Sequence, residues 1–154
     1  ISLLRAYQPE IILCNAPEDR HPDHGRSSKL VADASFLSGL QKIETDKNGI
    51  AQKAWRPKYV FRYIQDRFLQ PDFVVDITNV FDQKIEAIKA YKTQFYAEGA
   101  DGPQTYISTS DFFDSVVYRH KWFGKMIGVK YAEGFITEKI LGINNFDAII
   151  KENT

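Results

Sequence analysis

Two of the three histidines stand together in Glu18-Asp19-Arg20-His21-Pro22-Asp23-His24, between an apolar run and a stretch with helical periodicity. Imidazole changes charge near neutral pH and is the commonest metal ligand, so this segment is where chemistry is expected. Pro22 disfavours helical backbone at His21, which should be extended, and Asp23 is a good N-cap that places His24 in the first helical turn. The two rings then have different jobs. One coordinates a metal, while the other, held by a carboxylate, donates to an oxygen that gains charge during reaction. A catalytic zinc takes three protein ligands and this stretch offers one, so it is half of a metal site. The residue types by themselves favour a plainer alternative, a charged capping turn with both imidazoles in water.

The elements around the segment are those of an α/β sheet whose carboxyl edge carries a site. Ile1, Leu3, Leu4 and Tyr7 form the apolar face of a first helix closed by Pro9, with no capping residue before Ile1. That start is expected of a chain cut inside a domain. Glu10 to Ala16 reads as a strand buried on both faces. From His24 to about Lys42, Leu30, Val31, Ala34, Leu37 and Leu40 predict a core-packed helix. Glu44 to Gln52, polar and with an Asn-Gly signal, predicts a mobile loop able to fold over a substrate. Lys58–Ile64 and Phe73–Ile77 read as strands, with Asp76 placed either to support the site or, the favoured reading, to cap the next helix. Thr78 or Asn79 should cap a helix striped by Phe81, Ile85, Ile88, Tyr91 and Phe95, a core stripe and not a cofactor box. After a loop at 97–104, Ser108, Thr109 or Ser110 should cap a helix containing Phe113, Val116, Val117 and Phe123, loosened at its end by Gly124 and Gly128. Tyr131–Ile136 reads as a last strand and Ile140–Ile150 as a tail helix or a segment packed on a neighbour. His120 reads as a satisfied, partly buried histidine, and Arg62 and Arg67 as surface charges.

Composition narrows the class. A chain of 154 residues, 44% hydrophobic, supports one domain spanning 1–154. The 20 acidic and 20 basic residues cancel, so there is no electrostatic footprint for nucleic acid or an anionic membrane. Small molecules are the better partners. Cys14 is the single cysteine, inside an apolar run, which points to a buried thiol in a reducing compartment and so to the cytoplasm. No run reaches the ~18 apolar residues of a membrane span, and no signal peptide opens the sequence.

Arg20-His21-Pro22-Asp23-His24 after a buried strand resembles the second motif of the PIG-L/LmbE-type zinc-dependent de-N-acetylases. Trp55-Arg56-Pro57, Tyr91-Lys92-Thr93-Gln94-Phe95 and the run from Trp122 to Phe135 resemble the branch that deacetylates the glucosaminyl-malate precursor of bacillithiol. The resemblance covers nearly the whole chain. It implies a three-layer Rossmann-like (LmbE-like) α/β fold with a mostly parallel sheet, N-terminally truncated. It also implies Zn2+, or another divalent metal such as Fe2+, and an N-acetyl amino-sugar substrate. Residue by residue, His24 matches a zinc ligand, His21 the histidine that stabilises the oxyanion or protonates the leaving amine, and Asp23 the carboxylate that tunes it. Arg56 matches an arginine near the substrate pocket, its fork suited to a carboxylate such as malate, and Arg20 a flanking position with a supporting electrostatic role.

The family's first motif, a His-Pro-Asp-Asp-like loop supplying two zinc ligands and the general base, is absent from this sequence. Asp19 also stands where some relatives carry tyrosine. Tyr131 and Glu133 lie in the resembling region with no physical role that residue types assign. Three readings follow: an N-acetyl-sugar deacetylase, a metal-free sugar- or partner-binding module, and a structural fragment whose first-helix face pairs with another chain as a homo-oligomer.

Overall fold

The structure is a computed structural model, and it describes residues 1–92, 94–95 and 105–150. The expected loop at 97–104 and the threonine of the Tyr91–Phe95 motif lie outside the described residues. In chain order the elements are α1 (Ser2–Tyr7), β1 (Ile11–Asn15), α2 (Pro22–Ser38), β2 (Asp46–Lys47), β3 (Ile50–Ala51), β4 (Tyr59–Tyr63), β5 (Phe73–Asp76), α3 (Phe81–Lys89), α4 (Ser110–Met126) and β6 (Ala132–Thr137). Short 3₁₀ turns at Thr78–Val80, Tyr106–Ser108 and Phe146–Ile149 complete them.

The main sheet has the order β1-β4-β6-β5. β1 and β4 are parallel, while β6 runs antiparallel to both β4 and β5. The mixed α/β class expected from the sequence is therefore present. The sheet was expected to be mostly parallel, but among the described residues parallel pairing is confined to β1 and β4, because β6 enters the sheet from α4 through a tight turn at Gly128 and not by a crossover. This reversal matters for the site. The carboxyl ends of β1, β4 and β5 and the amino end of β6 all lie along one edge.

Directly paired residues point to the same face, so the register separates two layers of side chains. Cys14, Arg62, Ile136, Gly134 and Val74 share one face. α2 meets it through Ser28, whose hydroxyl accepts from Arg62 Nε at 2.9 Å, and α4 meets it through Phe123, whose ring lies on Gly134. Ile64, Phe123 and Ala132 are the buried centre of that layer, with Leu69, Val74, Ile127, Val129 and Ile136 around them. The opposite face carries an aromatic row, Tyr59, Phe61, Phe73 and Phe135, with ring centroids about 5 Å apart along the row. Ile11 and Leu13, at its outer end, are more than half exposed. β1 is thus covered on one face, not both.

Several local expectations are corrected. α1 buries Arg5, not its apolar stripe: Leu3 and Tyr7 face outward. The reason is that the Arg5 guanidinium donates to the carbonyls of Ser38, Leu40 and Ile43 and to Thr45 Oγ1, satisfying groups just past the end of α2 that no helix bond reaches. α2 buries Ser28, Ser35 and Ser38 and leaves Leu30 and Phe36 exposed, because small hydroxylated residues allow close approach to the sheet and return their own hydrogen bonds to Val31 O and Ser35 O. Arg62 is 4% exposed, bonded to Ser28 and to Glu138, and is no surface charge. The segment 44–52 is a β2–β3 hairpin whose Asn48-Gly49 turn takes φ of 56° and 77°, the two-residue geometry that favours these residues. It lies against α1 and Arg5, not over the site.

Thr109 caps α4 by accepting from Phe112 N–H, as expected. α3, by contrast, has no side-chain cap: Thr78 lies in the 3₁₀ turn ahead of it, and its N–H donates to Asp76. The stripe on α3 buries Phe81, while Tyr91 is largely exposed. The tail from Ile140 to Ile150 holds one 3₁₀ turn and leaves Ile140, Phe146, Ile149 and Ile150 in water. Among the described residues no helix is long and apolar enough to cross a membrane.

Candidate active site

A cleft of about 860 Å³ opens at the strand edge just described. The loop after β1 supplies Asp19, Arg20, His21, Asp23 and His24; the end of β4 and its loop supply Tyr63 to Asp66. α3 adds Lys84 and Ile88, α4 adds Phe112, Val116, Arg119 and His120, and β6 adds Glu133. Four of the five expected site residues, Arg20, His21, Asp23 and His24, come together here. The fifth, Arg56, lies elsewhere: its Nη2 donates to Phe36 O at 3.0 Å, its guanidinium covers the Phe36 ring, and its stem packs on Gly39, where a Cβ would meet Nε at 2.4 Å. It closes the carboxyl end of α2, where a cation is favourable.

The local geometry of the histidines follows from Pro22. His21 is extended, with φ −85° and ψ 126°, and is itself the N-cap of α2, Pro22 taking the first helical position. Its Nδ1 accepts from Asp23 N–H at 3.2 Å. Asp23, expected to be the cap, is not: its backbone N–H is the donor that His21 caps, while its Oδ2 stands 3.8 Å from Nδ1 and its Oδ1 accepts from Arg26. With Nδ1 occupied as an acceptor, a neutral His21 carries its proton on Nε2, a free donor.

His24 has the opposite tautomer. Asp19 Oδ2 lies 2.6 Å from its Nδ1. Burial pushes the Asp19 carboxyl up, but hydrogen bonds from His24 and from the backbone N–H groups of Arg20 and Arg67 outweigh it and hold the group below its ordinary value. An ionised carboxylate only accepts, so His24 Nδ1 bears the proton and Nε2 presents a lone pair. This is the arrangement in which metal-binding histidines are held by an outer carboxylate. The two rings are 5.5 Å apart, one offering a lone pair and the other an N–H.

Asp19 is the residue of this cleft that sequence reasoning gave no role. Its signal was available, a carboxylate five positions ahead of a helix-start histidine in a loop leaving a buried strand. Among the described residues no cluster of three His, Cys, Asp or Glu side chains could hold a metal ion, and His24 Nε2 is the oriented donor that would face one. The donor chemistry fits a metal to that extent.

The chain is similar to known deacetylases. A diacetylchitobiose deacetylase of Thermococcus kodakarensis is 25% identical over 137 residues, 87% of this chain and 47% of that protein. The crystal structure of the conserved protein TT1542 from Thermus thermophilus superposes with a TM-score of 0.74 at 26% identity, over 92% of this chain and 58% of that one. The N,N'-diacetylchitobiose deacetylase of Pyrococcus horikoshii, solved with its inhibitor MPG, shares the fold with a TM-score of 0.63 at 24% identity, over 88% and 48% of the two chains. No protein-family profile matches. The chain spans about half the length of these relatives.

The rest of the cleft wall carries further charged and titratable groups among apolar side chains. Arg20 pairs with Asp66 at 3.6 Å and lies over the Tyr106 ring, and Tyr106 OH donates to Asp66. His120 is buried and donates Nδ1–H to Val116 O at 2.6 Å; burial, aided by nearby Lys84 and Arg119, lowers its pKa to about 4, so it is neutral at pH 7. Its structural reading from sequence holds, although it also borders the cleft. Cys14 is buried and free, its thiol pushed up by desolvation and unsuited to nucleophilic work.

Proposed function

We infer that the protein to which these residues belong hydrolyses the N-acetyl group of an amino sugar, and that zinc is its metal. The observation that carries the reading is the pair of contacts from which opposite tautomers follow, Asp19 Oδ2 on His24 Nδ1 and the Asp23 N–H on His21 Nδ1, side by side at the rim of a cleft large enough for a glycoconjugate. The similarity to diacetylchitobiose deacetylases supports the substrate class. The resemblance in the run from Trp122 to Phe135 supports the finer choice of N-acetylglucosaminyl-malate, in the bacillithiol pathway, and the buried free thiol suits a cytoplasmic setting.

Asp19 holds His24 with Nδ1 occupied, so that Nε2 is the atom that would hold a metal. A bound zinc would supply Lewis acidity and a water of lowered pKa. His21 Nε2–H donates to the acetamide oxygen as negative charge develops there, and because Nδ1 is held by the Asp23 N–H, the ring is oriented before substrate arrives. Later protonation of the leaving amine needs His21 to be recharged at Nδ1. That would exchange the Asp23 N–H bond for the Asp23 carboxylate, 3.8 Å away. The remaining ligands and the general base would come from polypeptide beyond these residues. A non-catalytic sugar-binding module is the second reading, favoured by the single ligand among the described residues.

Acetate release from N-acetylglucosaminyl-malate by the full-length protein, set beside metal content, tests this. His24→Ala should lose metal first, whereas His21→Ala should keep it and lose a hundredfold or more in turnover, on the order of one oxyanion donor. Stoichiometric metal in His24→Ala would refute the ligand assignment, and no acetate from the unaltered protein would leave the binding module.

A further inference from the structure

Glu133 gains a setting from the fold that its sequence context did not give. It stands on β6 opposite Val75, at the strand edge that forms the cleft, and Lys84 Nζ from α3 reaches its Oε1 at 2.5 Å. Both side chains keep about a quarter of their surface accessible, and both line the cleft. The pair joins elements far apart in sequence, and its contact uses one acceptor site of the carboxylate and one of the three donors of the ammonium. Acceptors and donors are left side by side on the wall. His120, neutral beside them, adds no competing charge, and Ile88, Val116 and Phe112 supply apolar surface next to the pair.

We propose that Lys84 and Glu133 form the subsite that holds the adjacent 3- and 4-hydroxyls of the sugar ring, an assignment that rests on the deacetylase reading. A vicinal diol presents two groups that each donate and accept, which matches a carboxylate and an ammonium held in contact. The apolar neighbours suit the C–H faces of a pyranose. An ion pair shielded over about three quarters of its surface carries a desolvation penalty that a purely bracing role repays poorly. Hydroxyls arriving from a ligand would satisfy the sites left open.

The test uses the full-length protein. Glu133→Gln and Lys84→Gln should each raise KM for N-acetylglucosaminyl-malate about tenfold or more with kcat changed less than about threefold, as for lost binding that ground and transition states share. With the 3-deoxy or 4-deoxy analogue, Glu133→Gln should cost nothing further. Saturation-transfer NMR with methyl N-acetylglucosaminide, which needs no turnover, should show contact with the unaltered protein and its loss in Glu133→Gln. Undiminished KM and contact in both variants, or an equal penalty on the deoxy analogues, would overturn the subsite and leave a brace. Contact sensitive to Glu133 with no acetate release would instead refute the hydrolase reading and keep the subsite.

Discussion

Asp19→Asn isolates the step on which the metal reading depends. In the unaltered protein the Asp19 side chain is 1% exposed; Oδ1 accepts from the N–H groups of Arg20 and Arg67, at 2.7 and 3.2 Å, and Oδ2 from His24 Nδ1. Asparagine keeps the size but has one oxygen. If that oxygen stays with the two backbone donors, the amide NH2 faces His24 Nδ1, which must give up its proton; the imidazole then becomes the Nε2–H tautomer and has no lone pair for a metal. If the amide turns over, two buried N–H groups face a donor, at about 1–3 kcal/mol each. The first outcome is the cheaper one. Metal affinity should therefore fall at least 10–100-fold, about 1.4–2.7 kcal/mol, while the fold persists. Competition with a chromophoric chelator in the full-length protein measures the affinity, and 15N shifts of the His24 ring report the tautomer. Unchanged affinity with the proton still on Nδ1 would refute the argument.

Two further outcomes are expected. Arg56→Ala should lower stability by about 1 kcal/mol, through the lost bond to Phe36 O and cover over its ring, with KM unaltered; a tenfold rise in KM in a steady-state assay would return Arg56 to the substrate. His120 bears on pH: its folded pKa, about 4, lies below the ordinary 6.5, so its contribution is complete above pH 6.5 and is lost as pH falls towards 4, about 3 kcal/mol in all. Denaturant unfolding of His120→Leu at pH 7.5 and pH 4 should show a correspondingly weaker acid loss than the parent, and an identical loss would show that Lys84, Glu133 and Arg119 offset the burial.

What could be read from the sequence was what short-range chemistry decides. The strand from Ile11, the helix after Pro22, the Thr109 cap, the buried Cys14 and the position of His21 and His24 at a strand edge all follow from neighbours a few residues apart. Hydrophobic periodicity misled at α1 and α2. There Arg5 and Ser28 are buried because their partners, the carbonyls from Ser38 to Ile43 and the Arg62 guanidinium, lie more than thirty residues away, while Ser35 and Ser38 return their bonds within α2. Arg62 looked like a surface charge for the same reason, and Arg56 like a pocket residue because its motif says nothing of where α2 ends.

The roles of Asp19 and Asp23 show the limit most sharply. Both are carboxylates within a few residues of a histidine, and sequence spacing favours Asp23, two positions from His21 and one from His24. The structure reverses this because the helix begins at Pro22: Asp23, in the first turn, points outward to Arg26, whereas Asp19, in the loop leaving β1, is carried under the His24 ring and buried. Burial then makes the contact consequential, since a shielded ionised carboxylate fixes a tautomer that a solvated one would leave in exchange. The same sheet edge, through the antiparallel entry of β6, brings Glu133 to the cleft from more than a hundred residues away. The place of the loop at the strand edge was therefore legible in the sequence, while which carboxylate lies against which histidine, and what wall the loop faces, belongs to the topology.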